Sequence, residues 1–220
     1  MRNTIILSIV FVLFSSCSSV TVSDYWKKES LSDFSDQRVL VINQFGDEVA
    51  RIRFEHDMVD ALSSKGITAF QSSEMFPEVK PKEKLAQKEI DKFKANLEAA
   101  NIELVVMTVL KEKEEYQTTS SQGGVYGAGM PFYPGYFGGG YYGGGFYGYY
   151  GSFYAPSYST STTTTNEKYI IETVVYDLRQ EKKNQMISVI TMSIDNPKTL
   201  GSSSQEVSKV LVKELTKKVK

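Results

Sequence analysis

The 220-residue chain contains one cysteine, Cys17, and one histidine, His56. So few soft ligands exclude a disulfide framework and leave no zinc-type cluster. A basic excess is missing as well: 25 Lys and Arg stand against 26 Asp and Glu, a formal charge of −1. That balance supplies no electrostatic footprint for nucleic acid or for an anionic membrane surface. No apolar run is long enough to cross a bilayer. The longest, Ile5–Phe14, would span about 15 Å as a helix, half of a ~30 Å hydrocarbon core. Finally, no charged side chain occurs anywhere from Tyr116 to Asn166.

What is present at the start is a secretory signal pattern. Arg2 precedes the apolar run, and Ser15 and Ser16 lead to Cys17. Phe14-Ser15-Ser16-Cys17 resembles a bacterial lipobox, with Phe in place of the usual Leu, Val or Ile and Leu13 one residue earlier. The resemblance implies cleavage after residue 16 and a Cys17 carrying diacylglycerol on its thiol and a further acyl chain, such as palmitate, on its amine. Two or more chains anchor stably where a single one does not. The alternative is an ordinary cleaved signal with Cys17 near the cut. Ser18, where an Asp would favour retention in the inner membrane, implies the outer membrane. The Ser-Ser-Val-Thr run lacks an acidic surface-export tag, which implies the periplasmic face. Loss of residues 1–16 removes Arg2 and leaves 24 basic against 26 acidic residues, a charge of −2. With Cys17 acylated no thiol remains, so a conventional apolar core must hold the fold together.

Residues 17–37 are polar and read as the lipidated N-terminus and a tether, with Tyr25 and Trp26 as its bulky anchors. From 38 to 220 the hydrophobic periodicity alternates between strand and helix. Arg38–Asn43 is a short β-branched strand. Asp47 caps a helix that Gly66 closes, with Val49, Ile52, Val59 and Leu62 in a stripe and Phe54 and Met58 beside it. Ile67–Ser72 is a second strand. A second amphipathic helix places Ile90, Phe93, Leu97 and Ala100 on one face. Glu103–Leu110 is continuously apolar, as a central strand covered on both faces is. Tyr169–Leu178 is a strand, and in Gln185–Ile194 the residues Met186, Ile190, Met192 and Ile194 share a face. A capping box from Ser203 to Glu206 opens a last helix carrying Val207, Leu211, Leu215 and Val219. The expected fold is α/β: one mixed five-stranded sheet and three helices, ordered β-α-β-α-β-(insertion)-β-β-α. Two crossovers imply parallel pairing first and an antiparallel meander after the insertion at 117–166.

That order resembles the small α/β domains of periplasmic lipoproteins, such as the N-terminal domain of TolB and the core of the curli-secretion lipoprotein. The layout is also similar to Bacteroidetes and Flavobacterium-type envelope lipoproteins of unassigned function. The residues that carry this second resemblance are the lipobox, Asp24-Tyr25-Trp26-Lys27, the strand Val39–Asn43, Phe76-Pro77-Glu78, the Gly/Tyr-rich insertion and the YIIETVVYDL strand. Some such proteins carry the name cardiolipin synthase. Phospholipase-D-type synthesis needs two HxKxxxxD motifs, because one His attacks phosphorus while the other protonates the leaving group. Here one His is followed by Asp57 and Met58. The CDP-alcohol route needs several membrane spans and a DGxxAR signature, and the chain has neither.

Other catalytic patterns fail similarly. His56 between Glu55 and Asp57 reads as a solvated helical residue, since helix neighbours point in different directions. Gly138, Gly140 and Gly143 match GxGxxG only because glycine is dense there, without the strand and helix a dinucleotide site requires. The expectation is therefore no catalytic residue, no cofactor and no metal.

Residues 123–154 contain 13 Gly, 9 Tyr and 4 Phe among 32 positions. Helix is disfavoured at ~1 kcal/mol per glycine relative to alanine. The aromatic rings nonetheless offer large apolar faces with polar tips. The Thr/Ser-rich flanks are expected to pair as a two-stranded arm with this segment at its tip. Its candidate contact residues are Tyr133, Tyr136, Phe137, Tyr141, Tyr142, Phe146, Tyr147, Tyr149 and Tyr150. Partners compatible with them are an envelope protein, another copy of the chain, a glycan, or lipid headgroups, where Tyr is favoured. A low-complexity insertion with no partner stays open. RNA binding would want interspersed Arg, which is absent. The sequence thus points first to a lipid-anchored, non-catalytic binding or accessory module, and second to a self-associating structural component. A phospholipid-related enzyme is disfavoured.

Overall fold

The computed structural model describes residues 19–28, 34, 36–78, 86–116 and 166–217. Among them run the strands β1 (Val20–Lys27), β2 (Arg38–Asn43), β3 (Thr68–Gln71), β4 (Leu104–Tyr116), β5 (Asn166–Asp177) and β6 (Met186–Asp195). The helices are α1 (Glu48–Ser63), α2 (Ser72–Met75), α3 (Gln87–Ala99) and α4 (Leu200–Thr216), with a 3-10 turn at Lys182–Asn184. The strands form one sheet in the order β1-β6-β5-β4-β2-β3. β2 pairs in parallel with β3 and β4, while β4, β5, β6 and β1 pair antiparallel in succession.

The α/β class and mixed sheet are as expected, but the sheet has six strands, not five. The additional strand, β1, lies in the stretch read as a tether. It is an edge strand bonded on one side only, it is broken by a bulge between Val22 and Asp24, and its burial alternates. Such an edge needs only half an apolar pattern, so its Ser, Thr and Asp residues disguise it. A fourth, one-turn helix, α2, follows β3 directly.

Alternate residues of β2 and β4 bury on opposite faces, which is why both read as unbroken apolar runs. On one face Val39, Val41, Val106, Ile171 and Ile190 pack under Phe54, Met58 and Leu62 of α1 and Val207, Leu211 and Leu215 of α4. On the other, Leu40, Ile42, Val105, Met107 and Val174 pack against Phe93 and Leu97 of α3. Three local expectations are corrected. Helix α1 turns Phe54, Met58 and Leu62 inward and leaves Val49 69% and Ile52 44% exposed, because Glu55 is needed inside. Helix α4 begins at Leu200, capped by Thr199 through a 3.1 Å bond from the Ser202 amide, so Ser203 already lies in its first turn. Met186 packs on the α3 side, away from Ile190, because the β5–β6 register shifts between Val175 and Tyr176.

Glu55, fully buried on α1, joins three elements. Its Oε1 accepts from the Asn43 amide at 3.0 Å and the Ser72 hydroxyl at 2.7 Å, and its Oε2 from the Ser73 amide at 2.8 Å. The carboxylate thus satisfies backbone donors at the end of β2 and the start of α2.

Glu55→Ala leaves the Asn43 and Ser73 amides without their acceptor. It is expected to lower unfolding free energy by about 3 kcal/mol in urea titration; a loss within error would contradict this role. Removal of 123–154 shortens the β4–β5 connection roughly threefold, and should leave unfolding cooperative and stability raised by about 1 kcal/mol. Loss of a cooperative transition would show that the insertion belongs to the core.

Candidate functional site

One end of the sheet gathers the chain segments that the sequence singles out. Cys17 and the insertion residues Tyr133, Tyr136, Phe137, Tyr141, Tyr142, Phe146, Tyr147, Tyr149 and Tyr150 lie outside the described residues. Their points of departure do not. Ser19 accepts a 3.0 Å bond from the Asp195 amide on its carbonyl and donates its hydroxyl to Glu206 of α4 at 3.0 Å. Asp195 pairs with Lys168 and Lys168 with Glu114, two positions before the last pair, Tyr116 with Asn166. The first described residue after Cys17 and the two roots of the insertion therefore share one end of the molecule.

The same end carries the N-termini of α1 and α4 and, between them, a half-open cleft of about 950 Å³. Its walls include Phe45, Phe54, Leu110, Ile171, Ile194 and Val207, with Lys113 and Tyr169 on the β4–β5 side and Lys198, Thr199 and Leu200 on the α4 side. The volume lies within the ~300–1,000 Å³ span of small-ligand pockets. Phe45 holds its place by packing on Phe54, centroids 5.6 Å apart. The Arg53 guanidinium, in the second turn of α1, packs against Gly201 in the first turn of α4. Leu200 of the cleft wall, 46% exposed, and Val49 and Ile52 of α1, which do not line the cleft, present aliphatic surface to solvent.

At the base of the β4–β5 pair, Lys113 bonds Glu167 at 2.8 Å and Glu115 at 3.0 Å, and the Tyr169 hydroxyl donates to Glu167 at 2.8 Å. The bond to Glu167, and then that to Glu115, raise the Lys113 pKa above its ordinary range. The bond from Lys113, then that from Tyr169, hold the Glu167 carboxyl below the usual glutamate value. Burial, then the bond to Glu167, push the Tyr169 phenol upward. These charges are occupied in fixing the ladder. Asp47 is likewise committed, accepting from the Ala50 amide at 2.7 Å as the α1 cap. The cleft therefore offers apolar contact with no acid/base pair aimed into it.

The opposite end differs in character. A smaller cleft of about 540 Å³ lies between α3 and the turn after β5, lined by Asp91, Lys94, Glu98 and Arg179 among others. Arg179 grips Asp177 through two bonds, of 2.8 and 2.9 Å. Burial pulls the Asp177 carboxyl upward, but the bonds from Arg179 outweigh it and leave the pKa below the ordinary value. His56 is exposed and reaches Asp60 at 3.5 Å one turn along α1, while neighbouring Glu55 points into the core. Among the described residues no group of three His, Cys, Asp or Glu could hold a metal, and no helix is long and apolar enough to cross a membrane.

The residues of this cleft went unread in the sequence. Phe45, Leu110 and Tyr169 come from three separate strands or their ends, and no spacing links them. Val49 and Ile52 did carry a signal, since an apolar pair off the Phe54–Met58–Leu62 stripe has no core to enter.

The Glu167 pKa lies lower in the folded state, so its contribution is complete above the ordinary glutamate value of 4.5 and fades as pH falls through the folded value. That of Lys113 is complete below its ordinary 10.5 and fades only at higher pH. Hydrogen exchange at the Glu114 and Lys168 amides, the hydrogen-bonded pair next to Glu115 and Glu167, should therefore be slow between about pH 4.5 and 10.5 once corrected for intrinsic rates, and lose protection on acidification. Protection that does not decline at any pH below 4.5, or a Lys113→Met variant exchanging like the parent at neutral pH, would contradict this.

No protein-family model matches the chain, and no curated protein matches it. Solved structures similar to it include the PelC dodecamer of Paraburkholderia phytofirmans, 10% identical over 90% of this chain and 97% of that one, with a TM-score of 0.46. Another is the lipoprotein GNA1162 of Neisseria meningitidis, 12% identical over 80% of this chain and 95% of that one, TM-score 0.38. A third is a DUF4136 family protein of Bacteroides thetaiotaomicron, 12% identical over 92% and 100% of the two chains, TM-score 0.34. Likenesses at this level transfer no activity, ligand or assembly.

Proposed function

We propose that this chain is an envelope lipoprotein, anchored through an acylated Cys17 at the periplasmic face of the outer membrane, and that it acts there as a non-catalytic binding or accessory module. The observation that carries the reading is a juxtaposition. A lipobox-like run ends two residues before Ser19, and Ser19 is bonded into the sheet at the end that bears the apolar cleft and the roots of the Gly/Tyr insertion. A module held by its N-terminus presents that end to whatever lies at the membrane. Support for a non-catalytic role comes from the site chemistry: at the cleft Asp47 is spent on a helix cap and Lys113 on a ladder pair, and His56 stands apart on an exposed helix face.

The insertion is the runner-up actor. Its aromatic, uncharged composition supports self-association as a second reading, because both of its roots leave the sheet at the end that carries the apolar cleft.

Cells fed radiolabelled palmitate are expected to incorporate label into the mature chain, which should sediment with membranes. Cys17→Ala should lose both label and membrane association. A mature wild-type chain recovered as a soluble, unlabelled species would overturn the anchor. Crosslinking in cells with mass-spectrometric identification separates the two readings, heterologous partners supporting the module and self-crosslinks the structural role.

A further inference from the structure

We infer that the cleft end of the domain docks flat on the lipid bilayer, with Val49, Ile52 and Leu200 in contact with the lipid surface. The inference rests on the proposed acylation of Cys17 and goes on to name the partner of the exposed patch and the orientation of the domain. Its basis is the length of free chain. Only Ser18 separates Cys17 from Ser19, whose carbonyl and hydroxyl are both bonded into the fold. Two residues span at most about 7 Å. The headgroup layer on each side of a bilayer is about 5–8 Å thick, the difference between total and hydrocarbon thickness shared by two leaflets. An acylated Cys17 whose chains are in the bilayer therefore holds Ser19 at the headgroups, without a linker that would let the domain stand away.

Two features then decide which surface turns to the lipid. Leu200 lies six residues before Glu206, the Ser19 partner, so it reaches about 9 Å further along the α4 axis toward this end. The β4–β5 pair continues two positions beyond the level of Asp195, which is about 7 Å of strand. A plane resting on this end thus meets the first turn of α4 and the arm root. Helix α1, which meets the first turn of α4 through Arg53 over Gly201, starts at the same end, with Val49 in its first turn and Ile52 at the start of its second. Among the described residues, large hydrophobics exposed beyond a third comprise these three and Tyr25 of β1. Three of the four are therefore on the end that the anchor holds down. The charges there are mixed, with Lys198 and Asp47 in the cleft wall and Glu48 next to Asp47 in the chain, so contact is aliphatic first and electrostatic second. Binding is accordingly expected to survive high salt and to need no anionic lipid.

The test uses the mature, acylated full-length chain. Acylation occupies its only native thiol, so Leu200→Cys or Val49→Cys supplies a single labelling site on an exposed residue. Lys182→Cys, in the 3-10 turn at the opposite end, is the control. Each is labelled with an environment-sensitive nitrobenzoxadiazole dye and reconstituted into phosphatidylcholine vesicles, with and without doxyl-labelled lipid. Intact mass and vesicle flotation are read first. At positions 200 and 49 the dye should shift to the blue, be quenched by doxyl lipid, and resist aqueous iodide several-fold better than at 182, equally in low and high salt. Equal responses at 200, 49 and 182 would overturn the docking while leaving the anchor intact. Shielding from iodide without doxyl quenching would also overturn it, in favour of a second copy or the insertion covering the patch. A chain that carries no acyl mass and does not float overturns the anchor and the docking together.

Discussion

The antiparallel ladder between β4 and β5 is the interaction on which the rest of the molecule depends. It runs from Leu104 paired with Asp177 to Tyr116 paired with Asn166. To one side it hands β4 to the parallel strands β2 and β3, and to the other it hands β5 to β6 and β1. From Val105–Met107 against Val174–Tyr176 it supplies both cores, and next to them the Thr108 and Thr173 hydroxyls share a buried 2.8 Å bond. Beyond the bulge at Leu110 and Glu112 it becomes charged, and Lys113, Glu167 and Tyr169 take over from burial as the source of pairing. A backbone ladder can continue where the core has ended only if cross-strand side chains support it, and those three residues do so.

The ladder also fixes the polarity of the molecule. Because β2 and β4 run in parallel toward the insertion, the helices that follow β2 and β6 both start at that end and run back. Two first turns, two loops, the chain entry at Ser19 and the arm root therefore converge around one cleft. Helix starts and loops carry fewer core contacts than helix middles, so Val49 and Leu200, in the first turns of α1 and α4, stay exposed, as does Ile52 one residue past the first turn of α1. In a free-standing domain such a patch would be a liability. On a domain held two residues from a lipid anchor, as proposed for Cys17, it has a surface to meet.

Much of the architecture is legible in the chain because it rests on local periodicity. The runs at 39–43 and 104–110, the α3 stripe of Phe93 and Leu97, and the cap at Asp47 all appear where pattern and turn residues put them. The misses share a cause: tertiary context outweighed local pattern. Strand β1 reads as polar because a sheet edge tolerates polarity. Helix α1 rotates from its apparent apolar stripe because Glu55 must reach the amides of Asn43 and Ser73. The start of α4 moves from Ser203 back to Leu200 because Thr199, in place after β6, offers the first competent cap.

The amino-acid order alone carried the lipobox-like run with the lone cysteine at its end, the two crossovers, and an uncharged aromatic insertion between two strands. Each of these is set by composition or by spacing within a few residues. Only the tertiary structure decided that the chain entry, the insertion roots and the open apolar cleft belong to one end, and how little slack separates that end from Cys17. The reason is physical: strand pairing brings together Ser19, Glu114, Lys168 and Asp195, residues far apart in the chain, and nothing in the local sequence encodes which register that pairing takes.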